Sequence, residues 1–258
     1  MRTTVIMNLK GGVGKTTTAI NMAAVLARLW GKKVLVIDAD SQCNTTEFLG
    51  GDPRRGNMAQ ILRQEHDGVM LAMNSAQPTE LDGIDVICGD ESLMDLDLTK
   101  VELGSVQTGV LRDMVKRLDE LGLYDFCIID CPPAFNAAAA AALIAADDVV
   151  IPMKLDAFSL RGMACLLRQI ANMKKINPKL RLAGVLPTMY YKDALIQDAE
   201  KTLRESALPV FTPIRRSDKV DGMTFAQDPL ENYSPRSAAG YDYRVFVSEY
   251  VVGGTNNG

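Results

Sequence analysis

Short, mostly apolar runs recur along the chain, and longer amphipathic stretches separate them. Thr3–Asn8 (TTVIMN), Lys33–Asp38 (KVLVID), Ile84–Gly89 (IDVICG), Phe126–Asp130 (FCIID), Asp148–Met153 (DVVIPM) and Leu180–Pro187 (LRLAGVLP) each read as a strand buried on both faces. A further short strand is expected near Pro209–Pro213. Thr16–Trp30 puts Ile20, Ala23, Ala24 and Ala27 at helical spacing, with Gly31 as a stop. Helices are also expected over Gln107–Leu121, Leu160–Lys175 and Asp193–Ser206, and a last one over Tyr241–Val251, where β-branched residues weaken the propensity. Doubly buried strands that alternate with helices need crossover connections. The expected fold class is therefore α/β: a three-layer, doubly wound, mostly parallel sheet, with its ligand at the carboxyl ends of the strands. No Pro/Gly/Ser tract divides the chain, so one domain is expected over 1–252, with 253–258 a polar, frayed tail.

Composition narrows the classes. The chain has 258 residues, 47% hydrophobic and 23% charged, which suits a soluble globular protein with a large core. No apolar run reaches the ~18 residues of a membrane helix. Ala137–Ala146 is apolar but short, and Asp147 and Asp148 end it. The start of the chain enters a strand-like run directly, so a signal peptide is not expected and a cytoplasmic location is. The five cysteines form no CxxC pair, which argues for free thiols over a zinc or redox site. His66, the only histidine, sits in polar RQEHDG and is expected in an exposed loop, so no histidine chemistry is proposed.

The chemistry concentrates between the first strand and the first helix. Gly11, Gly12, Val13 and Gly14 make a nearly side-chain-free loop whose backbone N–H groups can turn inward around a phosphate. The helix that follows adds its positive end. Lys15 can reach the β- and γ-phosphates, Thr16 can offer a hydroxyl to Mg²⁺, and Thr17 continues the cradle. Downstream, Asp38 and Asp40 lie two residues apart at the end of a strand, so alternation aims both carboxylates to one side. One can hold Mg²⁺ through water and the other can position an attacking water. Asp130 ends a third apolar strand, where a carboxylate can also serve the hydrated cation.

Lys10–Thr17 (KGGVGKTT) lacks the first glycine of the strict P-loop pattern, because Leu9 stands there. It resembles instead the deviant Walker A motif, K-G-G-x-G-K-T, of the ParA/MinD/Soj ATPases. The resemblance covers nearly the whole chain and implies a MinD-like P-loop NTPase of the SIMIBI class, with ATP and Mg²⁺ as cofactors. It further implies that Lys15 serves the nucleotide of its own subunit, while Lys10 crosses to the nucleotide of a partner in an ATP-bound homodimer. Lys10, Lys15 and Asp40 are then the catalytic set, and Thr16, Asp38 and Asp130 the metal set. Asp38–Asn44 resembles the family's D-x-D-P-Q-G-N switch, with Ser41 and Cys43 replacing proline and glycine. By the same likeness, Thr188, Met189 and Pro213 lie where the family cradles adenine.

Charge distribution bears on the partners. Between Arg161 and Lys219 there are twelve basic and five acidic residues, a span of +7 in a chain of net charge −4. A basic stretch in an acidic protein can present a DNA-facing side. Resemblance to ParA points the same way and implies non-specific DNA binding, a nucleoid association and a ParB-like activator. Arg181, Arg215, Arg216 and Lys219 are the candidate DNA contacts. The alternative is a MinD-like membrane-associated ATPase. It needs a basic amphipathic C-terminal helix, whereas Tyr241–Gly258 contains Arg244 as its only basic residue. An iron–sulfur electron carrier and a small-molecule synthetase on the same fold are further alternatives, the first disfavoured by the placement of the cysteines.

Overall fold

The structure is a computed structural model that describes residues 1–63, 68–102 and 106–255. Its strands are β1 (Arg2–Ile6), β2 (Val34–Asp38), β3 (Gln77–Pro78), β4 (Ile84–Ile87), β5 (Phe126–Asp130), β6 (Asp148–Lys154) and β7 (Arg181–Thr188). Its α-helices are α1 (Lys15–Trp30), α2 (Asn44–Phe48), α3 (Met58–Arg63), α4 (Gly68–Asn74), α5 (Leu98–Glu102), α6 (Val110–Glu120), α7 (Ala137–Ala145), α8 (Ala157–Met173), α9 (Ala194–Glu205), α10 (Asp218–Ala226), α11 (Leu230–Tyr233) and α12 (Ala238–Thr255).

The strands join one seven-stranded sheet in the order β3-β4-β2-β5-β1-β6-β7. All neighbouring pairs are parallel except the β3–β4 edge, which is antiparallel. Alternation along the strands feeds two cores. Val5, Leu35, Ile37 and Ile129 point into one, with α3, α4, α6, α7 and α8; Ile6, Val34, Val36 and Ile128 point into the other, with α1, α10, α11 and α12. This is the expected three-layer arrangement. Its consequence for function is register. Asp130 lies beside both Ile6 and Asp38, so the strand ends that carry the phosphate loop and two acidic residues meet at one edge of the sheet.

Several elements differ from the sequence reading, for physical reasons. Pro209–Pro213 is not a strand: it touches the sheet through an isolated pairing, Val185 with Val210, and proline at each end removes the donors a ladder needs. The apolar Ala137–Ala146 run is helix α7. Asn136 caps it by accepting the Ala139 N–H at 3.0 Å, and its small side chains let it lie buried against α6 and α8. The last helix continues to Thr255, past Val251, because burial of Phe246, Val247 and Tyr250 outweighs weak propensity. His66 and residues 256–258 lie outside the described residues.

The amino ends of β1, β6 and β7 are held by one buried charge. Asp148 is fully buried, accepts from Arg2 Nε at 2.5 Å and from the Tyr250 hydroxyl at 2.9 Å, and is ion-paired with Arg181. The Arg2 guanidinium also lies 3.8 Å from the Tyr250 ring centroid. Arg181 therefore has a structural task at the end of the sheet opposite the phosphate loop. Arg181→Ala is expected to destabilise the fold by about 1.5–3 kcal/mol, the range for hydrogen bonds to charged groups, measured by urea denaturation. An unchanged midpoint would leave Arg181 without that task.

Candidate functional site

The loop between β1 and α1 adopts the shape its glycines permit. Gly12 (φ 68°) and Gly14 (φ 82°) take left-handed backbone, and Gly14 caps α1 without a side chain. Asn8 braces the entry, donating from Nδ2 to Pro152 O at 2.8 Å and accepting the Lys10 N–H at 3.0 Å. Thr188 braces the far side, donating its hydroxyl to Val13 O at 2.9 Å. Sequence reasoning passed over Asn8, which reads as nothing more than a polar strand end.

The two lysines diverge. Lys15 is buried, and its Nζ turns back over the loop to Lys10 O at 3.4 Å. Burial lowers its pKa, and the nearby Asp130 and Asp40 carboxylates oppose that shift. Lys10 points away: its side chain is 38% exposed, and its Nζ donates to Asp156 Oδ2 at 2.6 Å. The loop thus offers one cation inward and one outward. Asp156, just beyond β6, was not visible as a partner because it lies 146 residues away in sequence.

Each acidic side chain is individually anchored. Asp38 is buried, and its Oδ2 accepts the Thr46 N–H and hydroxyl, both at 2.8 Å. Asp130 Oδ2 accepts two hydroxyls, from Thr16 at 2.6 Å and from Thr45 at 2.8 Å. Among the described residues, Asp130 Oδ1 is buried with no hydrogen-bond partner. Asp40 is also buried, accepting the Gln42 N–H at 3.1 Å, and the chain turns there through Cys43. Cys43 takes φ 55°, a left-handed conformation that glycine adopts most easily, so the switch keeps its turn without that residue.

Burial pushes the Asp130 carboxyl up to about 7, assisted by the nearby Asp38 charge, and it pushes Asp38 up to about 6. Two acids this close, one with an unpartnered oxygen while its other oxygen takes two threonine hydroxyls, suit a hard, hydrated cation. Thr16, Asp38 and Asp130 are the residues that would hold it. Among the described residues there is no group of three or more His, Cys, Asp or Glu side chains placed to bind a metal by themselves. That fits Mg²⁺, which keeps water and shares its ligands with phosphate.

A cleft of about 340 Å³ opens beside the loop, lined by Gly14 and Thr17, by Thr188 and Met189, and by Ile214, Arg215 and Arg216. Pro213 is not among its lining residues; its neighbour Ile214 is. The four basic residues singled out in the sequence do not form one patch. Arg181 begins β7 and Thr188 ends it, so Arg181 lies roughly 20 Å from the cleft end, at ~3.3 Å per residue. Arg215 is held by Asp242, which accepts its backbone N–H at 2.9 Å and its Nη2 at 2.7 Å. Arg216 and Lys219 are exposed at the cleft end of the sheet.

The raised acids make a prediction with a definite sign. Between about pH 4 and 7 the native protein binds more protons than the unfolded chain, so without nucleotide and Mg²⁺ its stability falls as pH rises through that window. Asp130→Asn removes one of two buried like charges. At pH 8 it is expected to stabilise the nucleotide-free protein by about 1–2 kcal/mol, with the gain shrinking toward pH 5. Thermal unfolding across pH measures this, and a gain independent of pH would contradict it.

Comparison with known proteins agrees with this geometry. Residues 1–182 match the family described as an AAA domain. The chain is 39% identical over 210 residues to the chromosome partitioning protein ParA of Caulobacter vibrioides, covering 79% of this chain and 76% of that protein. It is 34% identical over 256 residues to the chromosome-partitioning ATPase Soj of Thermus thermophilus, covering 98% and 96%. The crystal structure of cobyrinic acid a,c-diamide synthase from Mycobacterium smegmatis, with bound ATP analogue and magnesium, is similar with a TM-score of 0.81 at 27% identity, covering 97% of this chain and 94% of that one. A glycine loop with divergent lysines, paired strand-end carboxylates and likeness along almost the whole chain lead to one conclusion: this protein belongs to the ParA/Soj family of P-loop ATPases.

Proposed function

We propose that this protein is a partition ATPase that closes into a sandwich dimer on ATP, lies on DNA without sequence preference, and lets go when a ParB-like partner stimulates hydrolysis. The observation that carries the reading is the divergence of the two lysines. Lys15 is buried against its own loop and serves the phosphates of its own subunit. Lys10 faces outward, paired with Asp156, and is the group able to exchange that carboxylate for a phosphate held by a second copy. Charge supports the exchange: two facing triphosphates repel, and a cation from each subunit offsets the repulsion.

The protein works on ATP with Mg²⁺, and the cation, when bound, neutralises charge on the β- and γ-phosphates. The chain's own residues do the rest. The loop from Gly11 to Thr17 holds the phosphates, and Thr16, Asp38 and Asp130 hold the cation's side of the site. Asp40, buried and close to Lys15, takes the place from which a carboxylate orients the attacking water. Thr188, Met189 and Ile214 wall the cleft that receives the base. Of the basic residues at this end, Arg215 is held by Asp242, which leaves Arg216 and Lys219 to face DNA phosphates. The setting is cytoplasmic and nucleoid-associated.

A membrane-associated role has less support. No helix among the described residues is long and apolar enough to cross a membrane. The apolar side chains of α12 that a membrane-binding face would need, Phe246, Val247 and Tyr250, are packed in the core. A synthetase role shares the fold. It predicts ATP turnover indifferent to duplex DNA and no ATP-dependent dimer.

Two measurements test the proposal. Asp40→Ala is expected to bind ATP and accumulate as a dimer, seen by light scattering, with hydrolysis reduced about a hundredfold or more, the scale on which misplacing a reacting group acts. Adding Lys10→Ala should return it to a monomer. A dimer that persists without Lys10, or normal turnover in Asp40→Ala, would reassign those roles. Separately, Arg216→Ala with Lys219→Ala should weaken binding to duplex DNA and reduce the slope of log K against log salt by about 2, from two lost phosphate contacts. An unchanged slope would move the DNA contacts elsewhere.

A further inference from the structure

Asp130 is held in an uneven way. One of its oxygens receives two hydroxyls, from Thr16 at 2.6 Å and Thr45 at 2.8 Å, while the other is buried with no partner among the described residues. A carboxylate with both donors on one oxygen cannot rotate without breaking a hydrogen bond, so its second oxygen is kept presented in one direction. The two hydroxyls come from different parts of the chain. Thr16 belongs to the phosphate-loop helix α1, and Thr45 to the short helix α2 that follows the switch turn at Cys43. Thr45 is fully buried, and so is the carboxylate it touches.

The residue after Thr45 does the same for the neighbouring strand. Thr46 gives both its N–H and its hydroxyl to Asp38 Oδ2, and its hydroxyl also accepts the Gly89 N–H at 2.7 Å at the end of β4. Asp38 and Asp130 are register partners on β2 and β5. Consecutive threonines of one helix therefore hold the two carboxylates side by side. A displacement of α2 loosens both anchors together.

We infer that Thr45 is a positioning residue for the cation site: it fixes the rotamer of Asp130 so that the open oxygen meets the hydrated Mg²⁺, and with Thr46 it ties the switch segment after Asp40 to the metal carboxylates. The inference rests on the Mg²⁺–ATPase reading above. It goes beyond that reading by giving α2 a role and by assigning one to a residue that neither the phosphate-loop nor the switch motif includes. Thr45 touches neither nucleotide nor reacting atoms. It acts through Asp130.

The test reads nucleotide binding, not turnover. Affinity of the full chain for a fluorescent ADP analogue is followed by anisotropy in EDTA and across an MgCl₂ titration, for the parent, Thr45→Val and Thr45→Ser. Valine keeps the β-branched shape and loses the donor; serine keeps the donor. Thr45→Val is expected to need about tenfold more Mg²⁺ for half-maximal tightening, the low end of the cost of losing an outer partner of a metal ligand. Thr45→Ser is expected to return to within about twofold of the parent, and all three should agree in EDTA. If valine does not yield folded protein, Thr45→Ala takes its place in the same comparison. A Mg²⁺ midpoint unchanged without the hydroxyl, serine behaving as valine does, or an equal loss of affinity in EDTA overturns the inference and leaves the ATPase reading standing. A parent whose nucleotide affinity ignores Mg²⁺ overturns both.

Discussion

The site depends on a carboxylate that the fold buries before anything is there to neutralise it. Asp130 ends the strand between β1 and β2, in register with Asp38 on one side and with Ile6, the last residue of β1, on the other. In a parallel sheet flanked by helices, that position is deep, and the ordinary remedy for a buried acid is an ion pair. Here Lys15 is nearby but itself loses solvation, and the hydrogen bonds Asp130 receives are hydroxyls on a single oxygen. The result is a pair of buried acids with little compensating charge, a setting that would suit a hydrated cation. Stability is given up locally so that the empty site is poised for a ligand carrying both signs.

The same accounting explains the placement of the lysines. A cation that must serve the bound phosphates is best kept dry and close, where its interaction is least screened, and Lys15 is buried for that purpose. A cation that must reach a second molecule has to remain at the surface. The Lys10 ammonium, partly exposed beside Asp156, is partly screened by water, which lowers the worth of that pair. Loop geometry and solvent exposure together turn one lysine of a short motif inward and the other outward, the arrangement on which the proposed function rests.

How much of this was legible in the sequence follows from the range of the interactions involved. The doubly buried strands, the phosphate loop and the strand-end acids are written in contiguous residues, and β1, β2, β5, β6 and β7 with α1 fall within a few residues of where periodicity puts them. What escaped is non-local or lacks a periodic signal. Thr45 and Asp130 are 85 residues apart, and Lys10 and Asp156 are 146, so no window contains either pair. The alanine run of α7 offers no amphipathic contrast because it is covered on all sides. The strand assigned at Pro209–Pro213 failed on local grounds: apolar residues suggested pairing, and flanking prolines limited it to a single bridge. Cys43, standing where the resembled switch has glycine, takes the left-handed conformation that glycine adopts most easily, which residue type alone does not reveal.

Charge counted along a sequence and charge available on a surface are different quantities, and this molecule separates them. The basic span between Arg161 and Lys219 has a net charge of +7, but three of its arginines, Arg181, Arg204 and Arg215, already have anionic partners. Arg181 is matched to Asp148 at the amino end of the sheet, and Arg215 to Asp242 in the wall of the cleft. A guanidinium that turned from a buried carboxylate to a DNA phosphate would give up the hydrogen bonds it makes there, and the carboxylate would lose part of its compensation. Residues paired in this way contribute to the long-range field without making contacts. On the proposed function, direct DNA contacts would fall to side chains whose neighbours lose little when they move, and among the candidates that criterion retains Arg216, together with Lys219, whose neighbour Asp218 is 3.8 Å away and exposed. Both stand at the end of the sheet where nucleotide binds. On the proposed function, an interface there would lie beside the nucleotide cleft, and coupling between ATP and DNA would need no signal carried across the molecule.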